Sequence, residues 1–195
     1  MSFTFAKRGI APGVLGLLLA GVGFGASPPP AEIQAQARTE NWKSIEKASE
    51  KLRELRTISG KLSLSGEALD ASTRTHVSSR DGHANRLSLV REHVNAAGKI
   101  LAELQRMHPE LAPWQQQAVD AITPIAARVA THTQAAIVHL NERPHARFVP
   151  EYTNHLEGIA DHSLSMKETV GKFLDFAEAR SKAQALETAL EIDRS

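Results

Sequence analysis

The chain has no cysteine and few aromatic residues. Without cysteine there is no thiol nucleophile, no cysteine-based zinc or iron–sulfur site, no covalently attached haem, no disulfide and no lipid-modified thiol. Aromatics make up 5% of the 195 residues, with a single tyrosine and two tryptophans. A chain so poor in strand-favouring aromatics and rich in alanine and leucine favours helix. No strong excess of charge exists either, since the formal net charge is +1. Also missing are a phosphate-binding loop, a Gly-x-Ser-x-Gly elbow, a His-Glu-x-x-His motif and the Glu-x-x-His pairs of di-metal bundles. Ser44-Ile-Glu-Lys47 matches Ser-x-x-Lys, but it lacks the accompanying motifs and opens a charged helix, so it reads as chance. The chain is therefore expected to be a binding or structural protein rather than an enzyme.

At the N-terminus, Lys7 and Arg8 precede an apolar run from Ile10 to Ala26. Three prolines and the small-residue segment Ala35-Gln36-Ala37 follow. Charge, apolar segment and small residues in that order predict a secretory signal, residues 1–37, with cleavage after Ala37. Cleavage after Gly25 or Ala26 and an uncleaved anchor are the alternatives. The run is short and glycine-rich for a membrane span. Cleavage would leave no stable membrane anchor and would place residues 38–195 in the periplasm or outside the cell. It would remove two of the 23 basic and one of the 22 acidic residues, leaving a formally neutral chain. Neutrality and export both argue against nucleic acid as a partner. Charges of alternating sign, as in Glu46-Lys47 and Glu50-Lys51, describe a solvated helix surface.

Four apolar stripes on 3–4 spacing predict four helices. The first starts near Thr39, and its glycine- and serine-rich stretch 59–66 is expected to fray or break it. The second starts between Ser79 and Gly82 and ends before Pro109. The third opens at Pro113 with an internal Pro124 expected to kink it, and the fourth opens at Pro150. Short links between them predict an all-α, antiparallel up-down-up-down four-helix bundle, preceded by the signal peptide. Ile122 and Leu101 are expected in its core, as are Met166, Phe173 and Phe176. Trp42 and Trp114 are expected to be packing anchors.

This topology gathers histidines at one end. His83 falls on the first turns of the second helix, His132 and His139 on the last turns of the third, and His155 and His162 on the first turns of the fourth. Equal counting from the loop near His145 pairs His139 with His155 and His132 with His162, with His83 in the deeper layer. Helical angles put His83 on the apolar face and the other four on flanks. Imidazoles arranged this way are candidate ligands for Zn or Cu, with Glu142 and Glu151 nearby to ligate or orient them. A b-type haem held by two histidines or by histidine and Met166, a pH-responsive element, or a plain polar end of a bundle fit the same residues. His76 joins them only if the second helix starts early. His93 and His108 read as surface or satisfied flank residues, and His145 as a loop residue. A protein partner on an exposed helix face is the remaining expectation.

Overall fold

The structure, a computed structural model, describes the backbone of residues 31–74, 79–143 and 149–194, and the side chains of 41–73, 79–143 and 149–191. The apolar run of the proposed signal, His76 and His145 lie outside the described residues. Four α-helices follow in order: α1 Ala31–Arg74, α2 Arg80–Arg106, α3 Pro113–Glu142 and α4 Pro150–Arg194, with a 3-10 turn at His108–Glu110 between α2 and α3. Each helix packs on two others, α1 against α2 and α4, and α3 against the same pair. Contacts across each pair run antiparallel. Arg86 Nη1 donates to Ala68 O, whereas Lys51 pairs with Glu103 farther along both helices. The expected four-helix bundle is the observed fold. Among the described residues, no helix is long and apolar enough to cross a membrane.

Local chemistry sets the boundaries. Ser79 caps α2 by accepting from the Gly82 N–H at 3.1 Å, and Pro109 ends the helix as its missing N–H requires. α3 opens with Pro113 in the first turn, where no donor is needed. The Gln115 side chain accepts from the Ala112 N–H at 3.0 Å and donates to Ile45 O at 2.8 Å, tying that helix start to α1. Pro124 lies inside α3, exposed, and the helical run continues on both sides of it.

α1 corrects the expectation of a break at 59–66, because it is one uninterrupted helix. Glycine lowers helix propensity by roughly 1 kcal/mol, but Gly66 is buried and its position is spent on contact with α4. A Cβ there would stand 3.1 Å from Ala160 Cα. Ser59 and Ser63 are likewise buried. Their hydroxyls donate to Arg56 O and Glu67 Oε1, so the small polar side chains are satisfied within their own helix. Packing of the two helices overrides the local glycine and serine signals.

The core runs the length of the bundle through Leu52, Leu55, Leu62, Leu69, Leu87, Val90, Leu104, Ile122, Leu156, Ile159 and Met166. Leu101 and Ile122 are buried as expected. Two aromatic expectations fail. Trp42 is 66% exposed and anchors nothing, and Phe176 is 52% exposed. Trp42 lies on α1 two residues before Ser44, whose hydroxyl meets Glu110 beyond the end of α2, and Phe176 lies at the open groove beside Trp114 at the start of α3.

Candidate functional site

The histidine-rich end divides into two adjoining groups. The first centres on Tyr152, in the first turn of α4 and fully buried. Its hydroxyl lies 3.1 Å from His83 Nδ1, and its ring is stacked on His139 with centroids 5.2 Å apart. His83 is fully buried on the core face of α2, as its helical angle predicts. His139 is 7% exposed, more enclosed than the expected flank position. At the rim, Glu151 Oε2 stands 3.9 Å from His139 Nδ1 and accepts from Arg143 Nη1 at 2.9 Å.

In the second group, His132 of α3 stands between His155 and His162 of α4. Ring centroids are 5.7 Å apart for His132–His155 and 5.4 Å for His132–His162. The Nδ1 atoms of His132 and His155 are 3.5 Å apart. All three rings are half-buried. His132 fits because residue 158 is glycine: a Cβ there would meet the imidazole at 2.6 Å. Gly158 thus lets the ring lie against the α4 backbone, within reach of one histidine a turn before it and another a turn after it.

The expected layers need correction. His83, His132 and His162 were expected to share one layer, with His139 and His155 in another. The observed ring contacts group His83 and His139 through Tyr152, and His132 with both His155 and His162. Tyr152 rather than His155 stands opposite His139, and Gly158 rather than His162 opposite His132. The α3–α4 register therefore differs by about one turn from equal counting. All five expected site residues do gather at this end.

Two imidazoles here are held more weakly basic than usual. Burial is the main cause for His155, followed by the neighbouring His132 and His139, with Glu151 opposing. Burial again leads for His162, followed by His132 and Arg128, with Asp161 opposing. In physical terms, a proton placed on either ring is poorly solvated and faces other positive charge. His108, on the 3-10 turn after α2, meets Asp120 Oδ1 at 3.2 Å, a satisfied flank residue as expected. His93 is half-buried midway along α2.

Two contributors carried no functional mark in the sequence. Tyr152 reads as one more apolar-stripe residue, and Gly158 as an isolated glycine in a helix. An unpaired glycine inside a strong helical stripe is a pointer to close approach. The other end of the bundle holds a second feature, an open groove of about 350 Å³ between α3 and α4, lined by Trp114, Gln117, Thr169, Lys172, Phe173 and Phe176.

Among the described residues, no group of three or more His, Asp or Glu is arranged to hold a metal ion. Comparison with family models, with curated proteins and with solved structures gave no match.

Proposed function

We propose that the chain is an exported, non-catalytic helical-bundle protein of binding or structural type, whose histidine-rich end responds to protons. The observation that carries this reading is the His132–His155–His162 cluster, three half-buried imidazoles in which the His132 ring contacts both of the others. Neutral rings tolerate that packing. Successive protonation puts like charges next to one another in a partly desolvated seam between α3 and α4. The charged groups around the seam are Arg128 and Asp161 beside His162, and Glu151 beside His155. Glu151 is already engaged by Arg143. Compensation for new positive charge is therefore incomplete.

The sign follows from linkage. His155 and His162 bind protons less readily folded than unfolded. The unfolded chain, with histidines near 6.5, takes up more protons as pH falls through that value. Stability is then fully present above about pH 6.5 and is lost as pH falls through the lower folded-state values. An exported protein meets such pH changes directly, and a seam that loosens in acid is a means of changing what the bundle presents.

Capture of Zn or Cu is the second reading, favoured by one distance. Two imidazole nitrogens on one tetrahedral zinc stand about 3.3 Å apart, close to the 3.5 Å between the Nδ1 atoms of His132 and His155. His83 and His139 are left outside this set, with Tyr152.

Thermal melts at pH 7.5 and 5.5, with and without added Zn or Cu, separate the two readings. The proton reading expects a melting temperature that falls in acid, and falls less in a His132→Gln variant. The metal reading expects a rise with added ion at pH 7.5 that the same substitution removes. A melt insensitive to both pH and metal contradicts both readings and leaves an inert polar end.

A further inference from the structure

The groove at the opposite end from the histidines has the composition of a small-molecule site. Trp114, in the first turn of α3, precedes His132 by 18 residues, about 27 Å along the helix axis. α4 contributes Thr169, Lys172, Phe173 and Phe176 at helical spacing, so that all four share one face, and Gln117 adds an amide one turn along α3. The groove lies where α3 starts at Pro113 while α4 runs on to Arg194, with Trp114 and Phe176 both among its lining residues. Its volume of about 350 Å³ falls within the range of ligand pockets.

Its charge is specific. Lys172 is exposed and makes no ion pair among the described residues. Glu168, one turn before it, forms no ion pair with it among the described residues, and Asp175, three residues on, faces Arg56 at 3.7 Å. An ammonium at the edge of an aromatic wall, with the Gln117 amide among the lining groups, matches an apolar body that ends in one negative charge. The Thr169 hydroxyl donates to Ser165 O, which leaves its oxygen as an acceptor only.

We propose that this groove binds a small amphiphilic carboxylate, an aromatic or medium-chain acid. Its apolar part lies against Trp114, Phe173 and Phe176, and its carboxylate pairs with Lys172. This is independent of the proton response at the other end of the bundle. It assigns a ligand class to a protein otherwise read only as a binder.

The chain itself provides the reporter. It has two tryptophans, and Trp42 is exposed, so a Trp42→Phe variant of the full chain leaves Trp114 as the sole indole. The probes are decanoate and decanol, both below their aggregation concentrations. The expected result is a saturable change in Trp114 emission, with decanoate bound about tenfold more tightly than decanol. Adding Lys172→Gln should erase that preference while keeping the decanol affinity. Adding Phe176→Ser should weaken both ligands. Both added changes are at exposed positions, and an unchanged melting curve verifies the fold. No saturable change, equal affinity for the two probes, or a preference that survives Lys172→Gln would overturn the proposal. So would an emission change that tracks protein concentration together with a sedimenting dimer, since a second copy would then be the occupant of the groove.

Discussion

Two histidine groups share one end of this bundle, and their surroundings differ. His83 and His139 are enclosed around a buried phenol, with His83 Nδ1 3.1 Å from the Tyr152 hydroxyl. His132, His155 and His162 are half-buried, with His132 held against the Gly158 backbone and in ring contact with the other two. The first group is part of the core, with polar groups that packing fixes in place. The second is partly open to solvent, and there His155 and His162 are held more weakly basic than usual, mainly by burial. The same side chain meets different electrostatic settings in adjoining layers, because burial and partners, not residue type, decide the cost of charge.

The sharpest way to separate the groups is to remove the centre of the first. Tyr152→Ala empties a fully buried aromatic position and should cost about 3–5 kcal/mol, read as a large fall in the denaturation midpoint at every pH. Gly66→Leu comes next. A side chain there meets the Ala160 backbone, which cannot move aside without separating α1 from α4, so a loss of about 1–3 kcal/mol is expected for overpacking. Gly60 has nothing within 4 Å of its Cβ position, and Gly60→Ala should instead gain about 0.5–1 kcal/mol. The opposite signs at two glycines six residues apart are measurable by urea denaturation.

Tyr152→Phe keeps the ring and removes the hydroxyl that meets His83, which should cost about 1 kcal/mol. Gly158→Ala acts on the second group. A methyl there stands 2.6 Å from the His132 ring, so the ring must swing away. The gain in helix propensity, about 1 kcal/mol, offsets part of the cost, so stability should move little. The acid sensitivity of melting should shrink, because His132 would no longer stand beside His155 and His162. The smallest effect belongs to His108→Ala, which removes an exposed contact with Asp120 and should change stability by less than about 1 kcal/mol.

Much of this arrangement was legible in the sequence. Helical periodicity located the four stripes, Ser79, Pro113 and Pro150 marked the helix starts, and the up-down order brought His83, His132, His139, His155 and His162 to one end. Axial register was not legible. Periodicity tells which face a residue takes, whereas the slide of α3 against α4 is set by contacts such as His132 on Gly158, and that slide decided the partners. The continuity of α1 through 59–66 was hidden for a related reason, since Gly66 is a weak helix residue by itself and a necessary one against Ala160. Tyr152 gave no sign of its role, because a stripe aromatic looks the same whether its hydroxyl meets water or a buried imidazole. The exposure of Trp42 and Phe176 was not revealed by the apolar pattern around them.

The central claim is that His155 and His162 resist protonation because they are half-buried beside His132. Histidine ring resonances followed by NMR from pH 8 to 5, on the full chain and on a His132→Gln variant, test it most directly. The account expects His155 and His162 to titrate below 6.5 and to move upward toward that value when His132 is replaced. Titration of both rings at or above 6.5, unmoved by the substitution, would contradict it.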